Sequence, residues 1–117
     1  FMRSDEFKDD ATWALAELGK PAVGRLMELL KDPEEVTRKQ AILALGEIKD
    51  DSCVDALIES LKDPDWFTRL SAASALEKMK DPRGREAIKP LMKDPDLVVR
   101  LRIERMLAAW KKEAVSA

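Results

Sequence analysis

The stretch Leu61–Asp81, "LKDPDWFTRLSAASALEKMKD", decides the reading of this chain. Its Lys62-Asp63-Pro64 recurs as Lys31-Asp32-Pro33 and as Lys93-Asp94-Pro95, a constant step of 31 residues. An arginine follows each proline by five positions: Arg38, Arg69 and Arg100. Aligned on that step, "VTRKQAILALGEIKD" (Val36–Asp50), "FTRLSAASALEKMKD" (Phe67–Asp81) and "VVRLRIERMLAAWKK" (Val98–Lys112) fall into register. An earlier segment, "ATWALAELGK" (Ala11–Lys20), matches at an offset of 30. Self-similarity at a period of 20–50 residues points to a stack of identical units.

Each unit reads as two helices. In the first, helix A, Val36, Ala41, Ala44, Leu45 and Ile48 are expected to form one apolar face, as are Phe67, Ala72, Ala75, Leu76 and Met79. In the shorter helix B the apolar series is Val23, Leu26, Leu30, then Val54, Leu57, Leu61, then Ile88, Leu91, Met92. Neither helix is long enough to persist alone in water, so stacking must bury these faces in a continuous core. The fold expected is all-α: an α-solenoid of about three and a half helix-pair repeats, with about seven helices.

The Lys-Asp-Pro element then reads as a stop-turn-start signal. Asp32, Asp63 and Asp94 are expected as N-caps, with Pro33, Pro64 and Pro95 at the first helical position. Glu35 stands three residues after Asp32, a capping-box spacing. Arg38, Arg69 and Arg100 are expected to form a ladder, each pairing with an aspartate of a neighbouring turn, for which Asp32, Asp63, Asp50 and Asp81 are the candidates. Cys53 aligns with Ala22 and Gly84, so a small buried residue is expected there rather than a reactive thiol. Pro90 stands where the other units carry Glu28 and Glu59, which predicts a kinked or shortened third helix B. Ile103, Met106 and Trp110 replace smaller equivalents, and the last helix is expected to be a cap.

With its D-x-x-x-x-x-R spacing, the quoted stretch resembles the short HEAT-like repeats named after phycobilisome lyases. The resemblance spans about residues 5–112 and implies a right-handed solenoid serving as a protein-binding scaffold. The expected organisation is a disordered or non-native remnant at 1–4 and units at 5–31, 32–62 and 63–93. A capping helix at 94–112 and a tail at 113–117 complete it. A bilin-lyase or chaperone-type accessory role, suggested by the family name, ranks low because no residue is diagnostic of it.

Composition narrows the chemistry. Of 117 residues 38% are charged and 45% apolar, with no histidine, no tyrosine and one cysteine. The absence of histidine excludes a histidine general base and the common imidazole zinc sets, and no glycine pair has phosphate-loop spacing. No catalytic residue, metal or cofactor is assigned. The lone cysteine favours a reducing compartment, so a cytoplasmic protein is expected, and no apolar run approaches a membrane span.

The exposed positions of the B helices are the candidate partner site: Met27, Glu28, Asp55, Ile58, Glu59, Glu86 and Lys89, with Trp66 in the inter-repeat turn. An apolar stripe with an acidic rim suits a basic amphipathic peptide or protein segment. The alternative is nucleic acid or another acidic partner, and it draws on charge asymmetry. Residues 1–77 hold 10 basic and 17 acidic side chains, while residues 78–117 hold 11 basic and 6 acidic. The basic third includes Arg83, Arg85, Lys93, Arg102, Arg105, Lys111 and Lys112. The sequence does not specify an oligomeric state.

Overall fold

A computed structural model describes the backbone of residues 18–116 and the side chains of 18–111. Among these residues there are six α-helices: α1 (Val23–Leu29), α2 (Glu35–Ile48), α3 (Val54–Ser60), α4 (Trp66–Met79), α5 (Pro82–Ile88) and α6 (Leu97–Ser116). Short 3-10 turns at Lys20–Ala22 and Asp51–Cys53 lead into α1 and α3, and a third, Lys89–Lys93, follows α5. The helix read from Ala11–Lys20 lies outside the described residues except for its end at Leu18. Helix α6 runs through Ser116, past the boundary expected at 112.

The long helices lie side by side, α2 against α4 and α4 against α6. The short helices cover them: α1 packs on α2, α3 on α4, and α5 on both α3 and α4. One core runs through the stack and includes Leu26, Ile42, Leu45, Leu57, Leu76, Ile88 and Ile103, all fully buried. Neighbouring units therefore stabilise one another, as in any repeat array.

Two expected core positions of the A helices face water. Val36 is 40% and Phe67 48% exposed. At 3.6 residues per turn each lies nine residues, about half a rotation, from the buried Leu45 or Leu76. Ile42 and Ala73 take their places, because a central A helix is covered both by its B helix and by the next A helix. Met92 is also exposed rather than buried. Pro90 lies in the 3-10 turn after α5, whereas the equivalent Glu59 is still α-helical in α3. That change to a tighter pitch rotates the later side chains out of register.

The Lys-Asp-Pro turns work differently from the expected cap. Asp32, Asp63 and Asp94 are not N-caps. Each Oδ1 accepts from the N–H two residues on, of Glu34 (2.9 Å), Asp65 (3.0 Å) and Asp96 (2.9 Å). Pro33, Pro64 and Pro95 sit inside that Asx turn, not at the first helical position, and a proline biases the residue before it away from helix. The helices open two residues later than expected, so Glu35 is the first residue of α2 and no capping box with Asp32 arises. The true cap of α4 is Asp65, whose Oδ2 accepts from Thr68 N and Thr68 Oγ1, both at 2.8 Å. Asp96 plays this part for α6, accepting from Val98 N at 2.9 Å.

The arginine ladder is present, with one partner outside the expected set. Arg38 grips Asp63 through Nε and Nη2 at 2.8 and 3.2 Å. Arg69 grips Asp94 in the same bidentate way at 2.8 and 3.0 Å. Both also donate through Nη1 to carbonyls of their own turn, Asp32 and Pro33 for Arg38, Asp63 and Pro64 for Arg69. Arg100 donates to the carbonyls of Asp94 and Pro95 in the same manner. Asp50 and Asp81 belong to other turns, accepting from Ser52 N and Arg83 N, each at 2.8 Å. Every bidentate rung thus reaches the aspartate 25 residues on and ties two units together.

Cys53, Ala22 and Gly84 are all buried, as their shared slot requires. The Cys53 thiol donates to the Asp50 carbonyl at 2.9 Å. Burial, reinforced by the charge of Asp50, pushes its pKa from 9.0 up to about 11, which keeps it a thiol at neutral pH.

Candidate interaction groove

Helices α1 and α3 are the B helices of consecutive units. Their inner faces are fixed by Val23 and Leu26, and by Val54 and Leu57, all buried against the A helices. The positions between those anchors therefore face outward. A groove of about 680 Å³ lies between the two helices. Met27, Leu30 and Ala56 supply apolar wall, Gly24 leaves one side open, and Glu28, Asp55, Glu59 and Asp63 bring carboxylates to the edge with Lys31 and Lys62.

Electrostatics differ along this edge. Asp63 is committed to Arg38. Glu28 is bonded to Arg25 at 2.9 Å and Glu59 lies 3.7 Å from Lys62, both exposed pairs worth little that an incoming cation can exchange. Asp55 is the most open, with Arg83 at 3.9 Å. A cationic ligand would meet carboxylates whose present partners are weakly held.

Four of the eight residues expected at a partner site thus share one groove: Met27, Glu28, Asp55 and Glu59. Ile58 is half-buried against the core and forms no part of the wall; Ala56 and Leu30 serve instead. Glu86 and Lys89 bond to each other at 2.7 Å, away from the groove wall. Trp66 opens α4 and stacks on Phe67, with ring centroids 5.3 Å apart. Of the wall residues not anticipated, Gly24 and Ala56 lie within α1 and α3, while Leu30, Lys31, Ser60, Lys62 and Asp63 stand at or just past their C-terminal ends, where spacing alone does not say how the chain leaves the helix.

Three side chains of the basic third are engaged within the chain. Arg83 bonds to Asp81 at 3.0 Å, Lys89 to Glu86, and Arg100 to backbone carbonyls. Among the described residues no group of three or more Cys, Asp or Glu side chains is arranged to hold a metal ion. None of the described helices is long and apolar enough to cross a membrane.

No curated protein matches the chain. The family model described as HEAT repeats matches twice, over residues 3–52 and 25–108. Together these matches span most of the sequence and coincide with the paired helices and their inter-unit rungs, so the chain belongs to the HEAT-repeat family.

Proposed function

We propose that this chain is a non-catalytic scaffold that receives a basic, amphipathic segment of a partner protein in the groove between α1 and α3. HEAT repeats generally mediate protein–protein interaction, which supports the scaffold role. The observation that carries the choice of groove is the apolar floor of Met27, Leu30 and Ala56 beside the carboxylates of Glu28, Asp55 and Glu59. An amphipathic helix would lay its apolar side on the floor and its lysines or arginines on the edge. The 31-residue period favours the right-handed, short-repeat class resembled by the sequence. The buried thiol of Cys53 is compatible with a cytoplasmic setting. Nucleic acid is the weaker reading, since Arg83, Lys89 and Arg100 already have partners.

The test is fluorescence polarisation with a labelled synthetic peptide of leucine and lysine, leucines at helical i, i+3, i+4 spacing. Wild-type protein is expected to bind it. Asp55→Arg combined with Glu59→Arg should weaken binding at least about tenfold, or 1.4 kcal/mol, with the helical circular dichroism unchanged. Both side chains are exposed, so the change does not touch the core. Equal affinity in the double variant would overturn this assignment.

A further inference from the structure

A second groove, of about 360 Å³, lies on the opposite kind of surface, one built by A helices alone. Its wall includes Val36, Lys39 and Leu43 of α2, Phe67 and Leu70 of α4, and Arg102 of α6. Val36, Leu43 and Phe67 are 40–50% exposed, a concentration of large apolar side chains that a polar surface would not ordinarily carry. Trp66 stacks on Phe67 and extends the apolar surface past the groove. The ionisable residues in this wall are both cations, Lys39 and Arg102, and no carboxylate lines it. Lys39 Nζ lies 4.6 Å from the centre of the Phe67 ring, so one positive charge is held directly over the apolar floor.

We propose that this A-helix groove docks an acidic amphipathic helix from a partner protein. Charge complementarity selects the occupant: apolar anchors enter between Val36, Leu43 and Phe67, and carboxylates on the flanks meet Lys39 and Arg102. The site has the opposite sign to the α1/α3 groove and shares no residue with it, so it does not depend on what binds there. One chain could then hold a basic segment on its B helices and an acidic one on its A helices.

The probe is a labelled synthetic peptide of leucine and glutamate, leucines at i, i+3, i+4 and i+7, followed by fluorescence polarisation. Wild-type protein is expected to bind it with an affinity that falls as salt rises. Leu43→Glu with Arg102→Glu should weaken binding at least tenfold, and Arg102→Gln alone should weaken it less and flatten the salt dependence. Asp55→Arg with Glu59→Arg, which disables the other groove, should leave this affinity unchanged. The proposal is overturned if the peptide fails to bind wild-type protein or binds the Leu43/Arg102 variant equally well. It is also overturned if single-stranded DNA displaces the peptide more effectively than unlabelled peptide does. Concentration-dependent self-association that Leu43→Glu abolishes would overturn it too, by assigning the groove to a second copy.

Discussion

Glu34 and Asp65 hold the same place in consecutive units, with φ/ψ of −85°/124° and −85°/125°. Asp65 caps α4 through both Thr68 N and Thr68 Oγ1, while Glu34 makes no side-chain capping bond to α2. The consequence appears at Thr37, the counterpart of Thr68, whose buried Oγ1 has no hydrogen-bond partner among the described residues. An unsatisfied buried hydroxyl and an unfilled cap both cost stability. Glu34→Asp, one methylene shorter, should reproduce the Asp65 arrangement and raise stability by about 1 kcal/mol in urea unfolding. No gain would mean that the cap of α2 is set by something other than side-chain length. The same residues show why the sequence misplaced the caps. Asp-Pro satisfies the preferences of a cap with its first helical residue and those of an Asx turn equally well. What discriminates is the second acid two positions on, Asp65 or Asp96, and in the first turn that position carries a glutamate.

At the scale of elements, the period of 31 made the helix pairs and their order legible, because spacing specifies which positions recur. It did not specify how many sides of an A helix are covered. The apolar helical pattern puts Val36 and Phe67 on the core face, although nine residues place them opposite Leu45 and Leu76, and the A-helix groove is hidden with them. Glycine marks a close contact between two A helices. A Cβ on Gly46 of α2 would lie 3.0 Å from Ala75 Cβ and 3.1 Å from the main-chain Ala75 Cα, atoms of α4 that cannot yield without moving the helix. A Cβ on Gly24 of α1 would meet nothing within 4 Å. The same substitution should therefore act with opposite sign. Gly24→Ala is expected to stabilise by roughly 0.5–1 kcal/mol through helix propensity and a less free unfolded chain. Gly46→Ala is expected to destabilise by roughly 1–3 kcal/mol through overpacking. Thermal unfolding of the pair decides it, and a stabilising Gly46→Ala would mean that α2 and α4 separate readily.

Across the whole molecule the ladder makes cohesion between units depend on carboxylate charge. Glu47 and Lys78, also 31 residues apart, add an exposed ion pair between α2 and α4. The more buried rung is Arg69 with Asp94, whose side chains are 13% and 2% exposed. Burial pushes the Asp94 carboxyl upward, but the Arg69 hydrogen bonds, the Asp96 N–H and the charges of Arg69 and Arg100 outweigh it and hold the pKa below the ordinary 3.8. A carboxyl with a depressed folded pKa contributes stability that is complete above its unfolded pKa and is lost as pH falls through the folded value. The wild-type chain should therefore lose stability below about pH 4 as this contact between the third unit and the last helix is discharged. Asp94→Asn keeps an acceptor for the Asp96 N–H but removes the charge opposite Arg69. It should cost about 3 kcal/mol at pH 7, the lower end for breaking a buried pair. Below pH 4 the difference between variant and wild type should narrow, because the advantage of the charged rung shrinks as pH falls from the unfolded pKa toward the lower folded one. Urea unfolding of both proteins from pH 7 to pH 3 measures this convergence, and parallel curves would show that acid acts on the array somewhere other than this rung.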